Sequence, residues 1–151
     1  MAISTASVQI AFAATANDTF SITTQTAQTA KRDTFAFANG NGSLEASGVV
    51  DKTVTIASNS TVTALSSLTD TLDTAFAYTE LKAVRIAASS ANVAPVTITS
   101  NITGLPVGVI YPNSTMAIVT ANATGYTVAG SNTITAAGNN NDTVNVTLIL
   151  S

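Results

Sequence analysis

Three carboxylates, Asp70, Asp73 and Glu80, fall within eleven consecutive residues. They offer the hard oxygen donors that Ca2+ takes. The competing reading is a solvated loop between strands, and the sequence favours it. Asn139, Asn140, Asn141 and Asp142 are also oxygen-rich, but one carboxylate is a small charge for a cation site, and the run reads as a hairpin turn. Two acids across a glycosidic bond could hydrolyse it. With 8 acids in 151 residues some pair is inevitable, however, and 5 Phe, 3 Tyr and no Trp leave few platforms for sugar rings. Hydroxyls abound, with 27 Thr and 15 Ser, but there is no His and no Cys. A Ser-His-Asp triad, a thiolate nucleophile, a Cys/His zinc site and a disulfide are therefore all excluded. The composition points away from an enzyme and calls for no cofactor.

The cations are Lys31, Arg32, Lys52, Lys82 and Arg85, and the formal net charge is −3. Phosphate-backbone binding needs clustered Lys and Arg, and only Lys31 and Arg32 are adjacent. No direct nucleic-acid contact and no membrane-surface patch is expected. No apolar run reaches the roughly 18 residues of a membrane-spanning helix. The Ala-rich first 16 residues end in Ala14-Thr15-Ala16, which mimics a signal-cleavage site. They lack a basic start, and Gln9 interrupts the apolar stretch, so synthesis in the cytoplasm is expected. Asn17, Asn41, Asn59, Asn101, Asn113, Asn122, Asn141 and Asn145 each open an Asn-x-Ser/Thr triplet. A Thr-rich chain produces these by composition, and without a secretory signal they are read as unmodified.

Charged residues make up 9% of the chain, against about 25% in an ordinary soluble domain. Surfaces of Ala, Thr and Ser lose little side-chain entropy when covered, which suits a subunit held permanently against neighbours. A low-charge extracellular β protein is the alternative. Thr, Val and Ile, 27, 14 and 11 residues respectively, suit a pleated, half-buried surface. Apolar residues recur with period two. Val8, Ile10 and Phe12 alternate, as do Phe20 and Ile22, then Phe35 and Phe37. Further strands are expected over 50–57, 61–65, 81–88, 96–100, 107–111, 116–120, 126–128 with 134, and 143–150. Turns fall at Asn39-Gly40-Asn41-Gly42, Asn59-Ser60, 89–92, 104–106, 112–113, 122–125 and 138–142. Leu65, Leu68, Leu72 and Phe76 fit either a short helix or a loop over 66–78. The fold expected is all-β: an antiparallel β-sandwich, jelly-roll-like, over 49–151, with an extended N-terminal arm or extra strands over 1–48. Within that arm, the Thr/Gln/Ala stretch 23–30 lacks core residues. Thr23, Thr24, Gln25, Thr26, Ala27 and Gln28 are its candidate interaction residues, since a strand added to a neighbour's sheet edge binds through its main chain.

Several segments carry a family pattern. They are Val50-Asp51-Lys52-Thr53-Val54-Thr55, Leu65-Ser66-Ser67-Leu68-Thr69-Asp70 and the run from Phe76-Ala77-Tyr78-Thr79-Glu80 to Ile86. Ala123-Thr124-Gly125-Tyr126-Thr127-Val128 and the closing strand from Asp142 to Leu150 complete it. Over residues 33–151 the chain resembles a family of small phage and prophage virion proteins that close with such a strand. Tyr111-Pro112-Asn113-Ser114 stands where that family has a glycine-rich turn. The resemblance implies a jelly-roll-like virion component and carries over no catalytic residue. The expected role is a capsid decoration or cement protein on the phage head, bridging capsid subunits. Its partners would be itself, as a homo-oligomer such as a trimer, and the major capsid protein. Acidity fits an outward position, away from the packaged genome. Two alternatives stand beside it: the single-jelly-roll main shell protein of a small virus, and a carbohydrate- or receptor-binding β-module of a fibre, using Tyr78, Tyr111 and Tyr126.

Overall fold

The computed structural model describes residues 6–20, 23–40, 42–57, 60–64, 78–120, 122, 124–129 and 131–151, with the backbone alone at 12–20, 23–31 and 60–64. Every regular element among them is a strand. β1 (Ala6–Phe20) and β2 (Thr23–Asn39) form an antiparallel ribbon whose register runs unbroken from Ala6 opposite Phe37 to Phe20 opposite Thr23. At about 3.4 Å per residue, its fifteen pairs extend roughly 50 Å. β3 (Glu45–Ala46) pairs in parallel with the end of β2. The turn between them depends on glycine. Gly40 has φ +147°, and a Cβ there would collide with the Glu45 carboxylate, which also accepts the Gly42 N–H at 2.7 Å.

The rest of the chain builds two antiparallel sheets. Its strands are β4 (Gly48–Thr55), β5 (Ser60–Ala64), β6 (Glu80–Ala88), β7 (Val96–Ser100), β8 (Val109–Ile110), β9 (Thr115–Val119), β10 (Tyr126–Thr127), β11 (Thr133–Ala137) and β12 (Thr143–Leu150). One sheet runs β4-β12-β6, with β9 and β10 both pairing β6. The other runs β5-β11-β7-β8. The pairs β7 with β8, β6 with β9, β5 with β11 and β4 with β12 nest inside one another along the chain.

Period-two alternation explains the core. Val50 and Val54 of β4, Val84 and Ile86 of β6, and Val144, Val146 and Leu148 of β12 turn inward. They meet Val96 and Ile98 of β7 and Ile134 and Ala136 of β11. Each large side chain removed from water here contributes about 1.5–3 kcal/mol. The chain is thus all-β, its antiparallel sheets packed as a β-sandwich. Two details depart from simple alternation. Lys52 shares the inward parity of Val50 and Val54 but is exposed, because β4 pairs on one side only among the described residues and the side chain can leave over the rim. The β6–β12 register shifts between Ile149 and Leu150, so that Leu150 faces Leu81 and Lys82 is the extra residue. That bulge brings both Leu81 and Lys82 to complete burial. The strand expected over 107–111 is shortened to Val109–Ile110. The helix-or-loop segment lies, up to residue 77, outside the described residues.

Candidate functional site

Phe35 and Phe37 of β2 and Ala6 and Val8 of β1 share one face of the ribbon, as their pairing requires. Phe37 is 1% exposed, packed with Ala46, Ala83 and Ile149 in a second apolar cluster that Val8, Phe35, Val49 and Val119 flank. Ala83 and Ile149 lie on the outer face of the first sheet, opposite in parity to Val84 and Leu148. The ribbon is therefore rooted on the back of the sandwich, and its first residues add a third layer there. A groove of about 500 Å3 runs beside the root, between Ser7 and Gln9 of β1 and Val49, Arg85, Thr147 and Ile149 of the sheet. Ile10, next on the face of Val8, is 41% exposed.

Beyond the groove the same sheet face is polar but internally bonded. Arg85 Nη1 donates to Asn145 Oδ1 at 2.9 Å, and Asn145 Nδ2 donates to Asp51 Oδ1 at 2.9 Å. Thr147 Oγ1 donates to the same Asp51 oxygen at 3.0 Å. The charges on this face thus sit within one ladder, and Ala87 and Ala117 lie beside it on β6 and β9. The face suits close packing against a neighbour better than capture of a charged ligand.

Thr23, Thr24, Gln25, Thr26, Ala27 and Gln28 lie in β2, opposite Phe20, Thr19, Asp18, Asn17, Ala16 and Thr15. One edge of this stretch is thus occupied by the chain's own β1, so the stretch belongs to a two-stranded ribbon. Asp70 and Asp73 lie outside the described residues. Glu80 Oε2 accepts from Lys82 Nζ at 2.6 Å and from Ser151 Oγ at 3.2 Å, which commits it to structure. No group of three metal-binding side chains occurs among the described residues. Asp142 is buried; its Oδ1 accepts the Val93 N–H at 3.1 Å, and Asn92 exchanges two amide hydrogen bonds with Thr143 beside it. The 139–142 turn, with Asn141 at φ +72°, therefore ties the 89–95 loop to the start of β12.

Of the triplet asparagines, Asn101 and Asn145 use both side-chain amide atoms in internal hydrogen bonds, and Asn122 accepts the Gly125 N–H through its Oδ1. Asn113 and Asn141 are exposed turn residues with positive φ. The tyrosines do not form a platform. Tyr78 and Tyr126 pack against the main core, whereas Tyr111 is 64% exposed in the β8–β9 turn. Burial raises the Tyr78 pKa above its ordinary value of 10.0. Sequence reasoning missed the ribbon root and the buried Lys82–Glu80 pair. The signals were present: Phe35 and Phe37 opposite Val8 and Ala6, and an acid two residues before a lysine in a strand.

No protein-family model, no curated protein and no solved structure matches the chain.

Proposed function

We propose that this chain is a structural protein of a bacteriophage virion, a jelly-roll subunit that decorates the head exterior and bridges capsid subunits. Its partners are further copies of itself and the major capsid protein. The observation that carries this reading is the combination of strand order and ribbon. The nested pairs, β4-β12-β6-β9 over β5-β11-β7-β8, follow the order of a hairpin rolled into two four-stranded sheets, the jelly roll of many capsid domains. A ribbon roughly 50 Å long in all, rooted on the outer face of the first sheet, offers main-chain edges to a neighbouring subunit. Low-charge faces rich in hydroxyl and methyl groups support permanent coverage by neighbours.

The test is binding of the purified chain to preformed heads that lack it. Saturable, stoichiometric decoration that raises the heads' resistance to heat is the expected result. Closed shells formed by the isolated chain would replace this role with that of a main shell protein. Absence of both binding and shells would refute a capsid role.

A further inference from the structure

Natural sheets blunt their open edges with charge, proline, bulges or short length. Most edges here obey that rule. β4 carries the exposed charges Asp51 and Lys52, and β8 is two residues long between Pro106 and Pro112. β5 and β9 have five residues each, and β2 carries Lys31, Arg32 and Asp33. β1 is the exception. It is 15 residues long, and from Ala6 to Asn17 it has no charge, no proline and no glycine. Among the described residues it pairs only with β2.

We propose that the open edge of β1 is a self-pairing surface. It joins β1 of a second copy in antiparallel fashion across a two-fold axis, giving a four-stranded ribbon in the order β2-β1-β1-β2. The proposal rests on the reading of the chain as an assembly subunit and names its first partner. Symmetry and the residue order of β1 favour a second copy. A strand edge paired antiparallel to itself is self-complementary, as a two-fold interface requires. An axis perpendicular to the ribbon keeps the face of Val8 and Ile10 on the same side in both copies, so that the apolar strip begun at the root continues across the pair. Pairing centred on Ala13, the midpoint of β1, sets Phe12 opposite Ala14 and Ile10 opposite Ala16, large against small. It also places Asp18 opposite Val8, so that no like charges meet. A two-stranded ribbon is at best marginal in water, and three or more strands are needed for independent stability, which pairing of two ribbons supplies.

The chain has no cysteine, so single cysteines report the register directly. Ala13→Cys in the full chain is expected to give a disulfide-linked dimer under mild oxidation. Ala11→Cys mixed with Thr15→Cys is expected to cross-link, each alone weakly, and Thr26→Cys on β2 not at all. Sedimentation of the wild-type chain is expected to show concentration-dependent dimers that Ala13→Lys reduces to monomers with the thermal transition of the sandwich retained. If Ala13→Lys does not fold, the cysteine pattern alone decides. A wild-type chain that stays monomeric, or cross-linking equal on β1 and β2, overturns the proposal. So does a β1 cysteine that links to a capsid protein in place of its own copy. Self-pairing without head binding would sink the decoration role alone, and head binding without β1 cross-links would sink this proposal alone.

Discussion

Phe37→Ala tests whether the ribbon is built into the domain or merely hangs from it. Phe37 is 1% exposed, and its neighbours Ala83 and Ile149 lie on β6 and β12, each held between two other strands of the first sheet. Strands held on both edges cannot move in to fill a void, so the cost belongs in the range for Phe→Ala in a rigid core, about 3–5 kcal/mol. At roughly 3 °C per kcal/mol for a chain of this size, melting falls by about 9–15 °C. Circular dichroism gives the melting shift and urea titration gives the free energy. If the ribbon detaches before the sandwich unfolds, the melting temperature holds, but residues 6–39 become open to protease at native temperature. A loss under about 1 kcal/mol together with an unchanged proteolytic pattern would refute the packing argument.

Asn92→Ala removes both amide bonds to Thr143 and leaves that residue's main chain without its side-chain partner; a loss of about 1–3 kcal/mol in urea titration is expected. Lys82→Met replaces a fully buried ammonium by an apolar side chain of similar length. Combined with Glu80→Gln, so that both charges go, it is expected to leave stability within about 1 kcal/mol of wild type, whereas Glu80→Ala alone, which takes the carboxylate from the buried ammonium, costs about 3 kcal/mol. Tyr78 titrates higher in the folded chain than in the unfolded one because burial disfavours the phenolate. Its contribution is therefore complete below about pH 10 and is lost as pH rises through the folded value. Alkaline titration of stability should show that loss in the wild type and a smaller one in Tyr78→Phe.

Much of the architecture was legible in the residues because one face of each sheet is buried and the side-chain period of a strand is two. Val144, Val146, Leu148 and Leu150 announce β12, and Val50 and Val54 announce β4. What alternation could not supply was pairing between distant strands. Phe35 and Phe37 read as a strand in an arm, but only the register with Val8 and Ala6 shows a ribbon, and only the outer-face residues Ala83 and Ile149 show where it is rooted. Alternation within 143–150 turns Ile149 away from Leu148 and Leu150, without a sign of what it faces. Lys82 was hidden for another reason. A lysine in a strand normally reads as solvent-facing, and its burial follows from a bulge that no local pattern marks. The Thr/Gln/Ala stretch 23–30 stands out for lacking core residues, and its position in β2 fits this, since its pairing with β1 runs through the main chain.

The proposed role requires that the low-charge faces and the ribbon be covered by neighbouring subunits. Cryo-electron microscopy of phage heads carrying the chain tests it most directly. The proposed role predicts residues 6–39 in contact with another subunit and the Arg85–Asn145–Asp51 face packed against a neighbour. A chain bound with the ribbon and that face both open to solvent would contradict it.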